Sequence, residues 1–179
     1  MKPLFAITVT LLLVAYPGLV YVSVQQQLGP TFAFLLLALL LIRAAMVPRS
    51  SRAIPMVGAG LVGLYLLTRD ERVLLWYPVL VNGLMLLAFG WSLRRPPSMV
   101  EQFARLRHPN LPAQAQPYLR RVTLAWCVFF VVNGSIATAT VIYGDMECWT
   151  LYNGLISYGL MGLMVVAELL IRPKYQEAA

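Results

Sequence analysis

Apolar residues in this chain run in long blocks, without the three-and-four spacing of a surface helix or the alternation of a half-buried strand. An α-helix needs about 20 apolar residues to cross a hydrocarbon layer of roughly 30 Å. Six stretches meet or approach that length: residues 4–24, 31–47, 54–68, 73–93, 122–143 and 149–171. The expected fold is all-α, a polytopic transmembrane helical bundle of about six spans, with residues 1–179 forming a single integral membrane domain. The second stretch reaches full length only if Arg43 extends its guanidinium to the headgroups, and the third is short and starts beside Pro55. Five spans is therefore the alternative count. The first stretch follows Lys2 in the position of a signal peptide. It runs longer than a signal h-region and has no small-x-small cleavage pattern before Gln25, so a retained helix is expected.

Residues 94–121 make the one extended polar segment. It opens with Arg94-Arg95-Pro96-Pro97 and then sets Ser98 three residues ahead of Glu101, the spacing of a capping box. Met99, Phe103 and Leu106 recur at helical spacing beside Arg105 and Arg107. This predicts a short amphipathic helix lying on the anionic cytoplasmic leaflet, with Arg94, Arg95, Phe103, Arg105 and Arg107 at the membrane surface. A solvated connector with some helix is the other reading. Pro109, Pro112 and Pro117 are expected to keep the remainder extended until the chain re-enters the membrane at Tyr118.

Composition agrees with the blocks: 60% of residues are hydrophobic and 12% charged, against roughly a quarter charged in soluble domains. A net charge of +7 and a pI near 9.8 raise nucleic acid as a partner, but the placement of the basic residues removes that reading. Lys2, Arg43, Arg49, Arg52, the arginines of 94–121, Arg172 and Lys174 all fall on one side of a six-span topology. The other side receives only Arg69 and Arg72, beside Asp70 and Glu71, and an acidic turn with Asp145 and Glu147. By the positive-inside rule both termini are expected to be cytoplasmic, in a multi-pass membrane protein. Trp76, Tyr77, Tyr143 and Trp149 at the outer ends, and Trp91, Tyr118 and Trp126 at the inner ends, suit the headgroup level. The expected partners are the lipid bilayer and other envelope proteins, with no nucleic acid.

Gly58-Ala59-Gly60-Leu61-Val62-Gly63 has the letters of a dinucleotide fingerprint. It lacks the strand before it and the acid about 20 residues on that such a site needs, and inside an apolar stretch small residues serve close helix approach. The pairs Asn82-Gly83, Asn133-Gly134 and Asn153-Gly154 lie within spans, where they cannot be hairpin turns. An amide there must bond another helix, a bound water or a ligand. Asn82, Asn133, Asn153 and Glu168 are thus the candidate intramembrane polar site, with interhelical bonding as the plainer role. Asn82 and Asn133 lie nine and ten residues from the outer ends of their spans, so helices running in opposite directions bring them level. Glu168 stands one turn before Arg172, the spacing of an ion pair near the cytoplasmic surface. The two cysteines, Cys127 and Cys148, are separated by most of a span, and the single histidine, His108, sits beside Pro109. No metal set, catalytic triad or cofactor site can be assembled, and none is expected. Asp70-Glu71 with Trp76, and Asp145 with Glu147 and Trp149, each precede an Asn-Gly span ending in Arg-Pro, the outline of a parallel repeat.

The segment Leu124-Ala125-Trp126-Cys127-Val128-Phe129-Phe130, the basic loop before it and the acidic turn with Trp149 after it resemble the intracellular septation protein A family of bacterial inner-membrane proteins. The resemblance runs from about Leu64 onward, through Asp70-Glu71 and Trp76. It implies a role in the cell envelope linked to division, elongation and membrane integrity, with no catalytic residues to carry over. Members of that family are usually drawn with five spans. Around Trp149-Thr150-Leu151-Tyr152-Asn153-Gly154, and at Val132-Asn133-Gly134, the chain is more similar to relatives encoded beside aryl polyene and fatty-acid-like synthesis genes.

Three functional readings follow. The first is a non-enzymatic envelope protein, a scaffold or partner subunit of a membrane-associated lipid or polyene pathway. The second is a small lipid or acyl-product transporter using the midplane asparagines as a polar site. A membrane enzyme using Glu168 or Cys127 is the third reading and requires a cytoplasm-facing cleft. Reporter fusions check the topology: a fusion at Ala179 is expected to report cytoplasm and one at Asp145 periplasm, and a periplasmic signal at Ala179 would overturn it.

Overall fold

The computed structural model describes residues 16–25, 29–49, 52–107, 111–112 and 114–177, and among them no strand occurs. Without water to pair with, backbone N–H and C=O groups in hydrocarbon must bond within the segment, which a helix alone achieves. The apolar blocks accordingly form helices α1 (Tyr16–Gln25), α2 (Gly29–Met46), α3 (Ala53–Thr68), α4 (Arg72–Leu75), α5 (Tyr77–Arg94), α6 (Met99–Arg107), α7 (Ala115–Tyr143), α8 (Met146–Leu151) and α9 (Ser157–Glu177), with a π-helical segment, Tyr152–Ile156, between the last two. Three helical stretches are long and apolar enough to span a membrane: Arg72–Arg94 with 23 residues, Ala115–Tyr143 with 29 and Met146–Ile171 with 26. At about 1.5 Å per residue each exceeds the roughly 30 Å of a hydrocarbon core. Thr31–Met46 and Ala53–Thr68 are shorter apolar helices. Of the first expected span only α1 is described, and residues 4–15 lie outside the described residues.

Two boundaries differ from expectation. Pro117 was expected to hold the chain extended, yet α7 begins at Ala115 and takes Pro117 into its first turn. N–H groups there have no helical acceptor, so proline costs nothing at that position. The fourth span is interrupted at Trp76, whose N–H bonds back to Val73 O at 3.3 Å in a tightened turn. Pro78 follows and has no N–H with which to continue the ladder. Elsewhere the ends follow simple chemistry. Gly144, at φ 80, ends α7 in the left-handed conformation that glycine adopts without steric cost. Asp145 then caps α8, its Oδ1 accepting from Cys148 N at 2.6 Å.

By contacts the chain sorts into two units, Met1–Val81 with Ile136–Ser157, and Asn82–Ser135 with Tyr158–Ala179. In the first, α2 and α3 pack together, and Leu36, Leu40, Val62, Tyr65 and Leu74 share one buried core with the fully enclosed Trp149. Gly58 is the close-approach residue of the glycine run. A Cβ there would stand 3.1 Å from side-chain atoms of both Leu40 and Tyr77, whereas Gly60 and Gly63 have open space. Trp149 Nε1 donates to Leu75 O at 3.1 Å, the carbonyl at the break before α5. In the second unit Phe89, Cys127 and Phe130 form the core, with Phe89 edge-on to Phe130 at 5.2 Å and Trp126 edge-on to Phe129 at 5.6 Å, geometries that aromatic quadrupoles favour.

Trp149→Phe keeps most of the ring volume and removes the one side-chain donor to Leu75 O among the described residues, leaving a buried carbonyl unmatched. It is expected to cost about 1–3 kcal/mol in unfolding by detergent titration. An unchanged unfolding midpoint would show that the indole N–H holds nothing together.

Candidate functional site

Asn82 on α5 and Asn133 on α7 are both buried, and Asn133 Nδ2 donates to Asn82 Oδ1 at 3.0 Å. The near-equal depth counted along the two spans therefore corresponds to direct contact. Gly134 allows it: a Cβ there would stand 3.2 Å from Asn82 Cβ, so a larger residue would push the Asn82 side chain away from its partner. Gly83, the other glycine beside this pair, faces open space and has no such role.

Asn153 finds its partners within the first unit. Its Nδ2 donates to Thr140 Oγ1 at 3.1 Å and to Trp149 O at 2.9 Å. It sits in the π-helical segment, and such widened turns recur at functional positions. Asn153 Oδ1 and Thr150 Oγ1 are buried without a hydrogen-bond partner among the described residues. Gly154 lies against Pro17, where a Cβ would meet Pro17 Cβ at 3.5 Å. Glu168 is half-buried on α9, and its backbone carbonyl accepts from the Tyr118 hydroxyl at 3.4 Å. The side chain of Arg172, its expected partner, lies outside the described residues.

The polar segment holds the helix α6 where one was expected, but its start is built differently. Ser98 occupies the position before the helix, yet its Oγ makes no bond and Glu101 does not reach back. Instead the first N–H groups are capped by other helices. Met99 N donates to Ser92 Oγ at 2.9 Å and Val100 N to Thr123 Oγ1 at 3.3 Å. Each hydroxyl also donates within its own helix, Ser92 to Phe89 O at 2.7 Å and Thr123 to Leu119 O at 2.9 Å. The exposed ends of a helix need acceptors from somewhere, and α5 and α7 supply them. Sequence spacing had no means of finding Ser92 or Thr123, because a serine or threonine bonding its own i−3 or i−4 carbonyl is ordinary in an apolar helix.

This docking sets which side of α6 faces outward. Glu101 and Ala104 are buried, and Met99, expected on the outer face, packs against the core of Phe89, Cys127 and Phe130. Phe103 is 57% exposed and Leu106 84%. Arg105, expected at the membrane surface, turns to Glu101, with Nε at 3.1 Å and Nη2 at 2.8 Å from Oε1. The arginine takes the pair because Glu101 sits on the buried side, where an unmatched carboxylate is costly. Arg94 and Arg95 are exposed, and the Arg95 guanidinium carbon lies 4.9 Å from the centroid of the Trp91 ring, a cation–π distance. Arg120 Nη1 donates to Leu93 O at 2.7 Å, closing the C-terminal end of α5. The backbone of Arg107 completes α6, and its side chain lies outside the described residues.

Cys127 is buried, Cys148 exposed, and both are free thiols. Among the described residues no three His, Cys, Asp or Glu side chains come together in a group able to hold a metal. His108 is outside the described residues.

The chain is thus an all-α membrane protein whose polar side chains inside the apolar helices bond mostly to backbone carbonyls, and in two pairs, Asn133–Asn82 and Asn153–Thr140, to one another. No family model, curated protein or solved structure matches it.

The asparagine pair gives a direct test. Asn82→Leu and Asn133→Leu should each lower stability by about 1 kcal/mol and show a favourable coupling of similar size in a double-mutant cycle. Additive effects with no coupling would mean that the hydrogen bond contributes nothing.

Proposed function

We propose that the chain is a multi-pass protein of the bacterial inner membrane, with both termini cytoplasmic, that serves the cell envelope as a non-enzymatic scaffold or partner subunit of a membrane-associated lipid or polyene pathway. The observation that carries this reading is the Asn133–Asn82 hydrogen bond. The two amides best placed to recognise cargo at mid-span are engaged with each other, as structural bonds between helices are. The segregation of arginines supports the orientation. The resemblance to the septation protein A family, and to the relatives beside polyene synthesis genes, supports the envelope role.

Asn153 Oδ1 and Thr150 Oγ1, buried without partners among the described residues, favour the second reading, a small lipid or acyl-product transporter whose cargo supplies a hydrogen-bond donor. The two readings separate in a deletion strain scored for envelope lipid and polyene content. On the scaffold reading, Asn153→Leu should restore the wild-type profile as fully as the native chain does. On the transporter reading it should accumulate to the native level and fail to restore. An unchanged profile on deletion would remove both.

A further inference from the structure

The stretch from Asn82 to Ser135 contains six arginines and a single acid, Glu101, which is already paired with Arg105. Three of its remaining arginines lie at the end of α5. The bond from Arg120 to Leu93 O sets that guanidinium at the end of α5, beside Arg94 and Arg95, and Arg121 follows on the next position of α7. All four of these arginines are exposed. None has a carboxylate partner among the described residues. Exposed apolar side chains accompany them: Trp91 under Arg95, Leu87 and Leu124 on the same helices, and Phe103 and Leu106 on α6, whose start is tied to α5 and α7.

We propose that this face is a binding site for an anionic glycerophospholipid. Its phosphodiester is held by Arg94, Arg95 and Arg120, and its acyl chains lie along Trp91 and the outward face of α6. Charge selects the headgroup, since guanidinium groups match phosphate oxygens in planar pairs. The apolar border selects a lipid over a soluble anion or an acidic polypeptide, because Phe103 and Leu106 stay in water unless a bilayer or its acyl chains cover them. The trans-capping of α6 by Ser92 and Thr123 fixes that face rigidly beside the arginines. The site is therefore preorganised and pays little ordering entropy on binding. The proposal draws on the functional reading above only in placing the site at the cytoplasmic leaflet.

The test is native mass spectrometry of the purified full chain, titrated with phosphatidylglycerol, phosphatidylcholine or inorganic phosphate. Phosphatidylglycerol should bind at least tenfold more tightly than phosphatidylcholine, and Arg94→Gln/Arg95→Gln should lower its affinity by roughly tenfold. Arg69→Gln/Arg72→Gln, on a different connection, should leave it unchanged, and a preserved melting temperature shows that each variant folds. Phe103→Ser/Leu106→Ser should weaken both lipids. Equal binding of the two lipids, or an unaltered affinity in Arg94→Gln/Arg95→Gln, would overturn the site. Inorganic phosphate competing as well as the lipid would make it a free-anion site and also overturn the proposal. Because the measurement uses the purified chain, lipid selectivity with a silent deletion strain sinks only the pathway role. An envelope phenotype without selectivity sinks only the site.

Discussion

A polar group enclosed in an apolar helical protein has no water to fall back on, and in this chain Trp149 shows what that requires. Its ring is fully buried, so its N–H must find an acceptor inside, and the acceptor is Leu75 O. A regular helix would have that carbonyl engaged four residues on. The break at Trp76 removes that competition. A defect in one helix and a buried indole from a distant segment thus complete each other, and Leu36, Leu40 and Val62 belong to the same buried core.

The same requirement is met by a different route around α6. A helix that starts at an interface exposes N–H groups that must be matched, and Ser98, the residue best placed by spacing, does not match them. Ser92 and Thr123 do, each hydroxyl donating to its own helix while accepting from α6. Fixing the start of α6 in this way decides its rotation, and the rotation decides which chemistry is presented. Glu101 goes inward and draws Arg105 with it, while Phe103 and Leu106 go outward. Capping, ion pairing and the exposed surface of this segment are consequences of one contact.

Much of this was legible from residue patterns. Uninterrupted apolar blocks encode helix directly, because a helix satisfies its own backbone wherever it is placed, and apart from the start of α7 the expected blocks fall within the described helices to a few residues. The meeting of Asn82 and Asn133 was also readable, since depth along a span is a count of residues. The start of α7 was not: Pro117 reads as a breaker unless it is known to fall in a first turn, where no N–H is required. The capping box at Ser98 and Glu101 misled for a related reason. The motif states which bonds are available locally, and the better acceptors arrived from other helices.

By itself, then, the sequence determined helix content, span positions and the segregation of charge, all of which depend on residues near one another in the chain or on a count along it. Tertiary structure decided the partners: which carbonyl takes the Trp149 N–H, which hydroxyls cap α6, which arginine is consumed by Glu101 and which arginines remain exposed. Hydrogen bonds are short and directional, so their matching depends on the rotation of each helix about its axis and on its register against its neighbours. Neither quantity is carried by the composition of an apolar block, in which every face of the helix reads alike.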